Sequence, residues 1–300
     1  MVSLLLAVVL LFIVLYVWIT RIYHQHRQTV AKSGSAHLVS LIKSVSRSDR
    51  GFSVSRNKYT NDGTEWQFSD ESQTFNGLRA LFVTAHPDDE CMFFSPAVIR
   101  LLEINASVHL LCLSSGNYYS QGEVRKKELL KSCEVFGIPP AHVTVIENRE
   151  LPDDPNVQWD IHLVSSLILK HVKAAAINLV LTFDGSGVSG HANHIALYRS
   201  LRYLVSTGKM PEGCAGLALE TVSIFRKYLS VLELPVSWLR SSDFICVIGR
   251  EEYTQAKRAM FCHQSQLLWF RHIYLLLSRY MSTNTFQRIA KDEEKRLKVY

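Results

Sequence analysis

Leu78-Arg79-Ala80-Leu81-Phe82-Val83-Thr84-Ala85 runs directly into His86-Pro87-Asp88-Asp89-Glu90. The first part is a short, nearly continuous apolar run, which reads as a strand buried on both faces. The second part places an imidazole and several carboxylates at that strand's carboxyl end. From here a regular alternation begins. Phe93 to Ile104 has helical spacing, Ser107 to Leu113 is a second strand, and Gly122 to Phe136 is a charged helix that stops at Gly137. Val143 to Ile146 is a third strand, Asp160 to Ala175 a helix, Leu179 to Phe183 a fourth strand and His191 to Val205 a helix. Leu219 to Phe225 and Phe244 to Ile248 read as later strands, with a helix over Glu251 to Cys262. Strands alternating with helices predict an α/β domain: a mostly parallel sheet with helices on both faces. In such a sheet the functional loops lie at the carboxyl ends of the strands.

Ahead of this domain, residues 1–20 carry no charged side chain, and Leu4 to Ile19 is almost wholly apolar. About 20 helical residues at ~1.5 Å each reach ~30 Å, the thickness of a bilayer core. Tyr16 and Trp18 stand where interfacial aromatics belong. A cleaved signal peptide would need a basic start and a small-residue cleavage site, and Arg21-Ile22-Tyr23-His24 is a poor one. The run therefore reads as a retained, single-pass transmembrane helix. Arg21, Arg27 and Lys32 follow it, which by the positive-inside rule puts the rest of the chain in the cytosol. Residues 21–76 read as a polar juxtamembrane linker, with a short amphipathic helix over Leu38 to Val45. Residues 77–282 form the main domain and 283–300 a charged tail.

The 300 residues are 47% hydrophobic and 20% charged, ample for a sizeable core. The formal net charge of +6 gathers at 21–50 and 271–298. A nucleic-acid binder needs a basic stripe interleaved with aromatics through its main domain, so this distribution suits an anionic membrane surface instead. None of the 6 cysteines forms a Cys-x-x-Cys pair, and most have apolar neighbours. They read as buried, reduced thiols in a reducing compartment.

Two loops carry the chemistry. One is Ala85 to Glu90; the other is Gly190-His191-Ala192-Asn193-His194, after the fourth strand. The first and fourth strands flank the switch point of a doubly wound sheet, so the two loops face one another. Together they supply two or three imidazoles and two or three carboxylates. Two His and one carboxylate, with an open fourth position, make a recurring catalytic zinc shell. A carboxylate left over beside the metal can take a proton from bound water. At the start of a helix, His191 and His194 share nearly one face, so one can bind metal while the other points at substrate. Pro87 stiffens the turn between His86 and Asp88.

With these motifs the chain resembles the zinc-dependent sugar de-N-acetylases. The likeness extends through Gly116-Asn117-Tyr118-Tyr119, Gln121-Gly122-Glu123 with Arg125 to Leu130, Phe183-Asp184 with Gly187 to His191, and His263 to Arg271. These stretches look like the eukaryotic branch of the family. That branch hydrolyses the N-acetyl group of N-acetylglucosaminyl-phosphatidylinositol at the cytosolic face of the endoplasmic reticulum, the second step of glycosylphosphatidylinositol anchor synthesis. The resemblance implies a Rossmann-like fold and one Zn2+ per chain, held by His86, Asp89 and His194. It implies Asp88 as general base, a protonated His191 stabilising the oxyanion, and a glycolipid substrate in the endoplasmic reticulum bilayer. It favours Arg125 as a ligand of sugar hydroxyls or inositol phosphate over a solvated basic face. His263 and Gln266, after a helix, would reach the sugar. Asp153 and Asp154 read as turn caps, and Glu90 as a group that orients the loop or a ligand.

Two rival functions fit less of the chain. A de-N-acetylase of a soluble amino-sugar conjugate needs no anchor, and a catalytically inactive membrane scaffold would lack a ligand or the base. Leu267 to Tyr280 is too short and too charged to span a bilayer. It reads either as the last core helix or as a membrane-surface segment, with Trp269, Phe270 and Tyr274 at headgroup depth and Arg271 and Arg279 on lipid phosphates. The basic flank makes a topology prediction. Protease added to sealed microsomes holding the full chain is expected to digest the main domain. Complete protection, or a glycan on the sequon at Asn105, would reverse the orientation.

Overall fold

The computed structural model describes residues 77–154, 156–229, 237 and 242–290, together with Leu10, Val14 and Val17. The transmembrane helix expected over 1–20, those three residues apart, falls outside the described residues, as do the expected linker 21–76, the helix expected over Leu38 to Val45, and 291–300 of the expected tail. Among the described residues no helix is long and apolar enough to cross a membrane.

The described strands are β1 (Arg79–Thr84), β2 (Ser107–Cys112), β3 (Val143–Val145), β4 (Leu179–Phe183), β5 (Ala215–Leu219), β6 (Phe244–Val247) and β7 (Thr283–Arg288). They make one sheet in the order β3-β2-β1-β4-β5-β7-β6. β1 to β5 pair in parallel, with Ala80 opposite Leu179 and Phe82 opposite Leu181 where β1 meets β4. The chain runs outward from β1 through β2 to β3, then returns and runs the other way through β4 to β5. The order reverses between β1 and β4, as the two facing loops require. The helices are α1 (Asp89–Phe93), α2 (Ser95–Glu103), α3 (Gly122–Phe136), α4 (Ile161–Ala174), α5 (Ala192–Ser206), α6 (Arg250–Phe261) and α7 (Trp269–Leu277). Helix α3 packs on α6, and α4 on α5. Right-handed crossovers in opposite directions from β1 set these pairs on opposite faces of the sheet. With both faces covered, β4 and β5 are buried at every position, and β1 at every position after Arg79.

Local chemistry sets the element ends. The Asp160 carboxylate accepts the Leu163 N–H at 2.7 Å and caps α4. Gly137, at φ 92°, lets α3 close with its own N–H on Cys133 O. The helix expected over Phe93 to Ile104 is divided at Phe94. Pro96, in the first turn of α2, has no N–H to continue a helix from before it. Asn284 of β7 stitches the break, taking the Ala97 N–H at 3.1 Å and donating to Phe93 O at 2.8 Å. All the cysteines are free; Cys91, Cys112, Cys133 and Cys246 are buried.

Three expectations are corrected. The strand expected over Leu219 to Phe225 is instead Ala215–Leu219, and Ile224–Lys227 is a helical turn. Small Ala and Gly side chains weigh little in an apolar pattern, whereas Ile224 and Phe225 weigh heavily and yet stand exposed. Residues 283–288, read as the start of a charged tail, are β7, antiparallel to both β5 and β6. The sheet thus extends past 282. Arg279, which the membrane-surface reading of Leu267 to Tyr280 put at lipid phosphates, is 0% exposed and donates to Ser237 Oγ at 2.7 Å and Thr285 Oγ1 at 3.0 Å.

Phe286 anchors β7. It is fully buried, and its ring stacks between Phe94, at 6.4 Å, and Phe244, at 5.8 Å. Phe286→Ala is expected to destabilise the domain by about 3–5 kcal/mol. The check is a lower urea midpoint at an unchanged m-value; a shift below about 1 kcal/mol would place 283–288 outside the cooperative fold.

Candidate catalytic centre

The site is built around Asp89, the first residue of α1. Its Oδ2 accepts the N–H groups of Ala85 and His86, both at 2.9 Å. Its Oδ1 lies 3.2 Å from Nε2 of His194, and Oδ2 lies 3.8 Å from Nδ1 of His86. Burial acts to raise the Asp89 carboxyl, but His194 and His86 beside it hold it well below the usual carboxylate range. Asp89 is therefore a fixed anion.

His194 enters from the start of α5. Its Nδ1 is 3.0 Å from Gly187 O and its ring stacks on Phe183, with centroids 3.9 Å apart. That contact fixes the ring's orientation and turns Nε2 toward Asp89. The Asp184 carboxylate shapes the loop that supplies the carbonyl. It accepts the N–H groups of Ser186 and Gly187, both at 3.0 Å, and that of Thr221 at 2.7 Å. Gly187, at φ 63°, adopts a left-handed conformation, and an added Cβ would meet His194 at 3.0 Å.

Asp88 is 5% exposed and stands at φ 116°, ψ −21°, a strained conformation for a residue with a side chain. Its N–H is held by Glu90 Oε2 at 3.0 Å. One carboxylate oxygen is 3.6 Å from Arg125 Nη2 and the other 3.5 Å from Arg271 Nη2. Burial pushes the carboxyl up against the pull of these two guanidiniums, and the net direction is upward. Glu90 is fully buried; its Oε1 accepts from Ser132 Oγ at 2.6 Å and lies 2.8 Å from His263 Nε2. Burial opposes both charges of the Glu90–His263 pair, yet their mutual attraction lowers the Glu90 carboxyl and raises the His263 ring. His263 is 0% exposed and sits behind α1, so the expectation that it reaches a sugar is corrected. It secures the floor that holds the Asp88 backbone.

Arg125, on the first turn of α3, ties the loops together. It donates to Pro87 O at 2.6 Å and Gly116 O at 3.2 Å and faces Asp153 Oδ2 at 3.6 Å. Asp153, read from the sequence as a turn cap, takes the Tyr118 N–H at 3.0 Å and has Oδ1 3.0 Å from His86 Nε2. The one signal for it was its place in a loop after a parallel strand, at the functional edge of the sheet. From Asp153 a cleft of about 690 Å³ opens between the loops that follow β2 and β3, lined in part by Ser114, Asn117, Tyr118 and Glu147. Gln266 is half-buried, 3.5 Å from Gln121. His191, also half-buried, has its ring 5.1 Å from that of His194 and 6.1 Å from that of His86. Burial and those two imidazoles push its pKa down, which opposes the imidazolium that the resemblance implied.

The donor set suits a divalent cation. Ring nitrogens of His86, His191 and His194 all lie within 4.8 Å of one another. Nε2 of His86 and of His194 are buried without an aligned hydrogen-bond partner, although each is about 3 Å from a carboxylate oxygen. Inward imidazole nitrogens beside carboxylates form a nitrogen–oxygen shell of the kind zinc takes.

A family model described as GlcNAc-PI de-N-acetylase (PIG-L) matches residues 81–205. The N-acetylglucosaminyl-phosphatidylinositol de-N-acetylase of Bos taurus is 54% identical over 209 residues, covering 70% of this chain and 83% of that protein. A Dictyostelium discoideum protein named "Probable N-acetylglucosaminyl-phosphatidylinositol de-N-acetylase" is 32% identical over 250 residues, covering 74% of this chain and 97% of its own. Among solved structures, N,N'-diacetylchitobiose deacetylase from Pyrococcus horikoshii superposes with a TM-score of 0.51 over 70% of this chain and 83% of its own, at 14% identity. That likeness is one of fold.

Gly116 makes the loop contacts testable. It sits at φ 71°, and a Cβ there would lie 2.5 Å from Arg125 Nη1. Gly116→Ala is expected to cost about 1–3 kcal/mol, part backbone strain and part displacement of the guanidinium. In an Arg125→Lys background the added cost should shrink by roughly 0.5 kcal/mol or more. Strict additivity in urea unfolding would show that the two do not touch.

Proposed function

The chain belongs to the GlcNAc-PI de-N-acetylase family, and from that premise we propose that it hydrolyses the N-acetyl group of N-acetylglucosaminyl-phosphatidylinositol, giving acetate and glucosaminyl-phosphatidylinositol. The observation that carries this reading is a fixed anion, Asp89, facing two inward imidazoles, with a second buried carboxylate, Asp88, held beside it by two arginines. We assign one Zn2+ to His86, Asp89 and His194. When bound, it supplies Lewis acidity, polarising the amide carbonyl and making water acidic enough to attack near pH 7.

The residues of the chain do the rest. Asp88 takes the proton of the attacking water; burial keeps it basic enough for that task. Arg125 and Arg271 hold its two oxygens in place, so little reorganisation is needed. The His191 ring donates an N–H to the carbonyl oxygen as that atom gains negative charge. Asp88 then returns its proton to the nitrogen, the C–N bond breaks, and the amine leaves uncharged. The polar cleft beyond Asp153 accommodates sugar and inositol hydroxyls. The apolar run from Leu4 to Ile19 and its basic flank support a place on the cytosolic side of the endoplasmic reticulum membrane, in the second step of glycosylphosphatidylinositol synthesis.

Two variants separate metal binding from proton transfer. Asp88→Asn should keep stoichiometric zinc and lose about 10²- to 10⁴-fold in turnover. Asp89→Ala or His194→Ala should lose metal and activity together, as a chelator should do to the unsubstituted chain. Measured by metal analysis and acetate release, an Asp88→Asn chain within a few-fold of normal rules out the base. A zinc-replete Asp89→Ala chain rules out the ligand set.

A further inference from the structure

Helix α7 is apolar on both sides. Tyr274 and Leu275 pack inward, and the Tyr274 hydroxyl donates to Met92 O at 2.8 Å. Trp269, Phe270, Ile273 and Leu276 face outward, with Trp269 75% and Leu276 68% exposed. The turn Ile224–Lys227 behaves alike, with Ile224 67% and Phe225 82% exposed. The two meet. Lys227 Nζ lies 5.7 Å from the Tyr274 ring, and the Val222 N–H donates to the Tyr280 hydroxyl at 3.1 Å. A surface helix in water turns its polar face outward. Here a contiguous surface does the reverse, which marks a contact site.

Two features select a lipid surface as the occupant. The first is charge. Neither 221–229 nor 263–281 contains an Asp or Glu, while Arg226, Lys227, Arg271 and His272 lie within them. An apolar face flanked only by cations complements an anionic bilayer interface. The second is position. Arg271, on the first turn of α7, reaches 3.5 Å from Asp88 Oδ2, whereas the other oxygen of Asp88 faces Arg125 on the side of the polar cleft. The apolar patch therefore rims the catalytic carboxylate on the side opposite that cleft.

We propose that α7 and the Ile224–Lys227 turn dock on an anionic bilayer, burying Phe225, Trp269 and Leu276 at the boundary of headgroups and acyl chains. Docking holds the catalytic centre at the depth of a lipid-borne sugar, with the Arg271 side of Asp88 toward the bilayer and the Arg125 side toward the polar cleft. This rests on the glycolipid substrate proposed above. Arg279 takes no part, being fully buried, and Arg271 is engaged with Asp88, so Arg226 and Lys227 are the cations this docking offers to lipid phosphates.

The test uses the full chain reconstituted in vesicles of phosphatidylcholine and phosphatidylserine. With acyl chains brominated near the headgroup, tryptophan fluorescence should contain a quenched component that Trp269→Phe removes. Equal quenching in the two chains overturns the proposal. Separately, Trp269→Ser with Leu276→Ser should lower turnover of vesicle-borne N-acetylglucosaminyl-phosphatidylinositol about tenfold, as losing a buried apolar side chain implies. Turnover of the water-soluble headgroup, N-acetylglucosaminyl-inositol phosphate, should not change. An equal loss on both substrates, or no loss on either, overturns docking. So does a double variant that dissociates a dimer, because the face then joins two copies of the chain. If neither the vesicle-borne lipid nor the soluble headgroup is turned over by any chain while the Trp269 quenching persists, the substrate reading fails and the docking surface stands.

Discussion

A buried carboxylate must be surrounded by donors, and Asp89 meets that demand in a way that sets the rest of the site. Its Oδ2 gathers the N–H groups of Ala85 and His86, the residues that leave β1. Its Oδ1 faces His194, which arrives from the far side of β4. One side chain thus turns the first loop back on itself and fastens it to the second. The tight return forces Asp88 into a left-handed conformation that costs about 1–3 kcal/mol and aims its carboxylate at the same space. Only the adjacency of β1 and β4 in the sheet makes this closure feasible.

Around that hub lies a second ring of buried charge. Glu90 holds the Asp88 amide, and Ser132 of α3 and His263 after α6 hold Glu90 in turn. Arg125 braces Pro87 from the other side. Burying such groups is unfavourable unless each finds a partner, and the loss of one partner from a buried pair costs several kcal/mol. The ring therefore makes the loop stiff as well as charged. Stiffness is what a strained residue needs in order to stay strained, and what a base needs in order to meet its proton without reorganisation.

The two arginines on Asp88 lead to different surroundings. Arg125 faces Asp153 and a polar cleft, whereas Arg271 belongs to a helix whose outer face is apolar. The lipid-borne amino sugar proposed as substrate would meet both environments within one headgroup's length. Asp88 stands on the seam between them.

Local pattern in the chain carries the alternation of elements and the two loops that meet. The helix over Gly122 to Phe136 and the strand over Leu179 to Phe183 have the bounds read from apolar pattern, because burial by a neighbouring layer leaves a local period. Asp88, Asp89, His191 and His194 were legible because they follow strand ends. The tertiary structure alone decided that β7 belongs to the sheet: of its residues only Phe286 is apolar, and Thr283, Asn284 and Thr285 are buried as hydrogen-bonding groups that leave no hydrophobic signal. It alone moved His263 from the substrate to Glu90, a residue 173 positions away. It also brought Asp153 to His86 and Arg271 to Asp88, and buried Arg279. Period and spacing record which side of an element is dry. The partner that a polar group finds in that dry space depends on which distant segment the packing delivers to it.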